Sequence, residues 1–161
     1  MATDRNAAIA CFRLGLAALL VLSFTSSLCP AGTASAAIDV SNQRDAQALR
    51  FIQDKLVLWQ KRMNLTDWTI TPNLVRKSTL APKTLGGIRW DRGTSTATID
   101  VLSTQDYSVP EQVMLDDMEF TIVHELVHLH LSSLPRSEAS RTAEERVVNE
   151  IAEALIKLAK R

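Results

Sequence analysis

Apolar residues recur along this chain in several distinct rhythms, each predicting an element. Leu49, Ile52, Leu56, Trp59 and Met63 fall at three- and four-residue intervals, which is one face of an amphipathic helix over 42–63. Ser41 is suited to cap its start and Asn64 to end it. The β-branched and aromatic run Trp68-Thr-Ile-Thr predicts a strand near 67–76. Ile88-Arg89-Trp90 and Thr94–Leu102, either side of Asp91-Arg92-Gly93, predict an antiparallel hairpin over 86–102. Pro110 suits the first turn of a helix over 110–132 that is apolar around most of its circumference from Phe120 to Leu131. Pro135 breaks that helix, Ser137 to Thr142 form a polar loop, and a last helix spans about 142–160. Its stripe reads Val147, Val148, Ile151, Leu155 and Leu158. The order of elements predicts an α+β fold: an N-terminal helix, a small and mostly antiparallel sheet, and two closing helices.

One further apolar stretch fits none of these elements. Residues 14–28 are uncharged, Arg5 and Arg13 precede them, and Ala34-Ser35-Ala36 follows. This is the pattern of a secretory signal peptide over 1–36, cleaved after Ala36, with export to the periplasm or the medium. The stretch is short of the roughly 20 residues that span hydrocarbon, so no stable membrane insertion is expected after cleavage. Cys29 follows Ser26-Ser27-Leu28, a poor match to a lipoprotein site.

The whole chain balances 18 basic against 18 acidic residues. Losing Arg5, Arg13 and Asp4 with residues 1–36 leaves 16 basic and 17 acidic residues. A charge so close to neutral argues against nucleic acid as a partner. Cys11 and Cys29, the only two cysteines, leave with the signal. The mature domain, 37–161, therefore has no disulfide, no thiolate ligand and no cysteine nucleophile, and any metal site must be built from His, Asp or Glu.

All three histidines of the chain lie within His124-Glu125-Leu-Val-His128-Leu-His130. Positions 124 and 128 are one helical turn apart and share a face, so both imidazoles can reach one Zn²⁺. Glu125 is rotated by one residue to the edge of that site, where it can take a proton from a zinc-activated water as general base. Chance can place two His and a Glu on a helix. Here, however, the surrounding positions are apolar, and burying such groups without partners would cost on the order of 1–3 kcal/mol each. A shared metal ion, one zinc per chain, removes most of that penalty. His130 points roughly 160° away from His128 around the helix and is expected at the surface or satisfied elsewhere.

A catalytic zinc takes three protein ligands and keeps one open position. With no cysteine left, the third ligand is an acid on the last helix. Glu150 and Glu153 fall opposite the apolar stripe; Glu144 lies at its centre and Glu145 on its flank, so face arithmetic alone leaves both open and leans to Glu144.

His124-Glu125-Leu-Val-His128 followed by Glu145-Arg-Val-Val-Asn149 resembles the two-helix core of the gluzincin metallopeptidases. The stretch from Glu145 to Ile156 is also similar to the second helix of IrrE/ImmA-like peptidases, with Val148 in the place of a small residue. The resemblance covers about 120–158. It implies a minimal zincin-like domain, Glu145 as third ligand and Asn149 as the residue that orients a ligand histidine. It also implies a zinc metallopeptidase acting on a peptide or protein substrate, with Glu125 as catalytic base. The alternative is a non-catalytic zinc-binding regulatory or interaction module that keeps the fold. The hairpin offers an edge strand against which an extended substrate can pair. Tyr107, Trp59, Trp68 and Trp90 are expected as core or loop aromatics, and Arg136, Arg141 and Arg146 as solvated charges. Neither the substrate nor the oligomeric state is fixed by the sequence.

Overall fold

The computed structural model describes residues 33–135 and 141–161, with side chains from residue 40 onward outside that gap. Both cysteines, the expected signal segment up to residue 32, Arg136 and most of the expected 137–142 loop lie outside the described residues.

Helix α1 spans Thr33–Arg62 and is longer than its apolar stripe predicts. Ser41 is therefore inside the helix instead of capping it, and the position expected for cleavage, Ala36, is also helical. Of the stripe, Ile52, Leu56 and Trp59 are buried and Leu49 and Met63 pack partly against the core, with Ala48 buried beside them. Asn64 ends the helix at φ 52°, a left-handed conformation that Asn tolerates. Leu65 N–H then reaches back to the Gln60 carbonyl (2.8 Å) and Asn64 N–H to that of Lys61 (3.3 Å). These are the paired reverse bonds of a Schellman ending, and the buried Leu65 supplies its apolar contact.

Three strands follow: β1 (Thr69–Val75), β2 (Gly86–Asp91) and β3 (Thr96–Leu102). The hairpin of β2 and β3 is antiparallel, with Ile88 opposite Ile99, and Asp91 Oδ1 accepts from Gly93 N–H (2.7 Å) in its turn. The sheet order is β1-β3-β2, and β1 runs parallel to β3. This corrects the expectation of a mostly antiparallel sheet: the sheet is mixed, with one pair of each kind. β1 and β2 run in opposite directions, and β3, turning back from β2, inserts between them. The most deeply buried strand thereby takes the centre; Ile99, Val101, Leu102 and Asp100 are all buried. Parallel pairing suits such a strand.

Helix α2 (Glu111–Leu131) crosses the sheet, contacting β2 and β3, and packs against α1. Pro110 stands just outside the helix, its carbonyl accepting from Met114 N–H (3.0 Å). Met114, Met118, Ile122, Val123, Leu126 and Leu129 fill one core with the α1 stripe and Ile88, Ala97, Ile99 and Val101 of the sheet. Fully burying each large aliphatic side chain contributes roughly 1.5–3 kcal/mol. Asp45 of α1 pins the helix to the segment after β3, accepting from Thr104 Oγ1 (2.6 Å) and Thr104 N–H (3.0 Å). At the start of β2, a Cβ on Gly86 would stand 2.3 Å from Thr121 Cγ2 and 2.7 Å from the Asp100 carbonyl. Only glycine lets the strand lie this close to α2, one turn before His124.

Helix α3 (Arg141–Ala159) packs on α2. Its buried positions are Val148 and Ala152, with Leu155 and Ile156 packed partly against the core. Val147, Ile151 and Leu158, expected in the buried stripe, are exposed at 43%, 38% and 70%. The buried face is occupied instead by polar groups described next. The architecture is thus α+β: three helices and a small mixed sheet.

Candidate metal centre

The second half of α2 is buried on nearly every side, and His124, Glu125 and His128 are each only 2% exposed. Phe120, one turn earlier, packs its ring 6.0 Å from that of His124. The two imidazoles stand 4.7 Å apart, centroid to centroid, at 69°. Their Nε2 atoms point at one another across 3.1 Å.

Helix α3 closes this pair. Glu145 places Oε2 at 3.4 Å from His124 Nε2 and Oε1 at 3.3 Å from His128 Nε2. Asn149, one turn further, accepts through Oδ1 from His124 Nδ1 (3.1 Å). Glu144 accepts through Oε1 from His128 Nδ1 (3.1 Å). The two acids address opposite nitrogens of the histidine pair. Glu145 faces the Nε2 side, and Glu144 holds the far side of His128.

The tautomers follow from these partners. Asn149 Oδ1 and the Glu144 carboxylate can only accept, so both Nδ1 atoms carry hydrogen and both Nε2 atoms present lone pairs. In the neutral rings two lone pairs and a carboxylate then converge. Glu145 Oε2 is buried and has no hydrogen-bond partner among the described residues. Such a convergence of acceptors repels unless a cation or protons enter it. The spacing fits a cation: a tetrahedron with arms of about 2.0–2.1 Å has edges of about 3.3–3.4 Å. The two Nε2 atoms stand 3.1 Å apart, each lies 3.3–3.4 Å from a different oxygen of the Glu145 carboxylate, and one ligand atom from each of the three residues lies within 4.8 Å of the others. His124, His128 and Glu145 can therefore hold a metal ion. Glu144 and Asn149 supply the outer contacts that fix ring orientation in such sites.

Protons can stand in for the cation: burial raises the Glu145 carboxyl, but with both imidazoles protonated their hydrogen bonds and positive charge pull it down to about 2. Glu125 is the opposite case. Burial pushes its carboxyl up to about 8; His124 opposes the rise, while Glu145 and Asp100 add to it. Glu125 Oε2 is buried without a hydrogen-bond partner among the described residues. A carboxyl with an ordinary value of 4.5 is thereby poised near neutrality.

The remaining candidates lie elsewhere. His130 is exposed and donates from Nε2 to the Met63 carbonyl (2.6 Å), tying the end of α2 to the end of α1. Trp59 is buried and donates to Glu119 Oε1 (2.9 Å); Trp68, Trp90 and Tyr107 pack partly into the core. Burial raises the Tyr107 hydroxyl far above its ordinary value, with the Asp117 charge adding to it. Glu150 and Glu153 are exposed, as their helical positions predict. The role of Glu144 as a partner of His128 Nδ1 is the one site function that sequence reasoning missed. Its signal was present in the central stripe position of Glu144, where a second acid had no apolar reason to be.

Comparison of the chain with protein-family models, with curated proteins and with solved structures finds no match.

Proposed function

We propose that this protein is an exported, zinc-dependent metallopeptidase of the zincin type. The observation that carries the reading is the convergence of His124 Nε2, His128 Nε2 and the Glu145 carboxylate, beside a buried carboxyl at Glu125 lifted to about 8. A zinc ion held by the three ligands would polarise a substrate carbonyl and lower the pKa of water towards ~7. The chain's own residues do the rest. Glu125 accepts a proton from the attacking water and returns it to the leaving amine; a base poised near working pH is suited to both transfers. Asn149 and Glu144 keep the imidazole Nε2 atoms turned inward. β2 is an edge strand whose first residue touches α2 one turn before His124. An extended peptide pairing with that edge would lie across the histidines.

Export rests on the uncharged segment 14–28 and the Ala34-Ser35-Ala36 site. Among the described residues no helix is long and apolar enough to cross a membrane. Mass spectrometry of the exported protein should give an N-terminus at Ala37.

The activity is tested by offering an unfolded protein and a peptide library to the zinc-loaded protein and to its Glu125→Gln variant. Cleavage by the native protein alone, with equal zinc in both, is the expected result. Equal cleavage by both sinks the mechanism. Zinc binding with no cleavage of any substrate by the native protein supports the non-catalytic module instead.

A further inference from the structure

The exposed apolar residues of α3 form a continuous line. Val147, Ile151, Ala154 and Leu158 follow at intervals of four, three and four, the spacing of a coiled-coil seam, and all are exposed. Counting 100° per residue, the centre of this line lies about a third of a turn from the centre of the face that Glu145, Val148 and Ala152 turn to α2. Single exposed aliphatic residues need no explanation, but a seam of four along one helix does.

The charges beside the seam indicate what covers it. Glu150 and Lys157 border its outer edge, one heptad apart and of opposite sign. The second half of the helix carries Glu150 and Glu153 ahead of Lys157, with Lys160 and Arg161 just past its last residue. In a parallel pair of such helices like charges would lie side by side. In an antiparallel pair about a two-fold axis, Ile151 meets Ala154 of the second copy, Val147 meets Leu158, and Glu150 faces Lys157 twice over. The small Ala154 at the centre lets the helices approach closely. Nothing in this arrangement covers His124, His128 or Glu145, which lie on the far side of α3.

We infer that α3 is a self-association surface: two copies of this chain pair antiparallel through Val147, Ile151, Ala154 and Leu158, with Glu150 set against Lys157 of the other copy. One helix face per partner is far smaller than the roughly 800 Å² that a stable dimer buries on each side. The dimer is therefore weak and concentration-dependent. Lys157 exchanges its exposed contact with Glu153 (3.3 Å) for the partner's Glu150 at no large cost.

Sedimentation equilibrium of the purified protein, from micromolar to near-millimolar concentration, reads this directly. The average mass should rise from one chain towards two. Leu158→Glu, at a 70% exposed site, should remain monomeric across the range with unchanged circular dichroism and metal binding. Glu150→Lys sets Lys against Lys at both ends and should weaken the dimer about three- to tenfold, as should Lys157→Glu; the double charge swap should restore it. A monomer at every concentration overturns the inference, as does a dimer that Leu158→Glu leaves intact. A dimer that the single charge changes weaken but the double swap fails to restore overturns the antiparallel pairing.

Discussion

Helix α2 buries two glutamates six positions apart, and their surroundings differ completely. Glu119 is 7% exposed and fully engaged: Trp59 Nε1 donates to Oε1 (2.9 Å) and Lys55 Nζ stands 2.7 Å from Oε2. Glu125 is 2% exposed, and its Oε2 has no partner among the described residues. Both carboxyls are largely removed from water, and only one of them is compensated. The compensated acid joins α1 to α2 and is explained by the fold. The uncompensated one, beside the histidine pair and Glu145, weakens the folded state and is explained by nothing in the fold; under the proposed function it is the base.

The largest separation of the two comes from removing each acid's charge. Glu125→Gln should cut hydrolysis by about 10²–10⁴, the usual share of a general base, while leaving metal content and thermal stability at or above the native level. A variant that retained most of its turnover would erase the distinction. Next in size is the outer contact to the histidines. Glu144→Ala and Asn149→Ala should each weaken metal binding about 10–100-fold, read by competition with a chelating dye, without abolishing it. Complete loss of metal in Glu144→Ala would make Glu144 a ligand. Glu119→Ala strands the buried Trp59 N–H and should cost about 2 kcal/mol in urea unfolding, close to thirtyfold in the folding equilibrium, with the residual metal affinity unchanged. No loss of stability there would mean that Glu119 is not the structural member of the pair.

The smallest effect is a slope. Glu125 binds its proton up to about 8 in the folded chain but only to its ordinary 4.5 when unfolded. Metal-free protein therefore carries this contribution in full below pH 4.5 and loses it as pH rises towards 8, by at most about 1.4 kcal/mol per pH unit. Glu145, held at about 2, acts in the other direction: its contribution is complete above 4.5 and disappears as pH falls to about 2. Unfolding of chelator-treated protein should thus show declining stability from pH 5 to 8, and Glu125→Gln should flatten that decline. Stability that rises over this interval in the native chain would contradict the buried, unpaired state of Glu125.

Much of the site was legible because α2 writes it into adjacent positions. His124, Glu125 and His128 need only the helical period to be placed, and the apolar residues around them already indicate burial. Choosing between Glu144 and Glu145 is harder, since neighbours differ by only 100° and the answer depends on how α3 is rotated about its axis. Periodicity pointed to Val147, Val148, Ile151, Leu155 and Leu158 as the buried stripe; Val148 is buried and Leu155 partly so, but Val147, Ile151 and Leu158 are exposed. Glu145 and Asn149 hold positions that hydrophobic residues would otherwise fill, so a face packed on α2 reads in the sequence as a polar one. The sheet was legible as three strands but not in its order. Placing β3 between β1 and β2 depends on the parallel pairing of Thr69–Val75 with Thr96–Leu102, for which no local turn leaves a mark. The Gly86 contact with Thr121 was equally invisible, because two glycines before a strand signal a turn as readily as a close approach.

The central claim is that His124, His128 and Glu145 form one cation site, and elemental analysis of the purified protein tests it most directly. The native protein should carry about one zinc per chain; His128→Ala and Glu145→Ala should carry none, and Glu144→Ala should still bind it when zinc is supplied. A native protein that takes up no zinc even from supplemented buffer, or a Glu145→Ala variant that holds it as tightly as the native chain, would contradict the account.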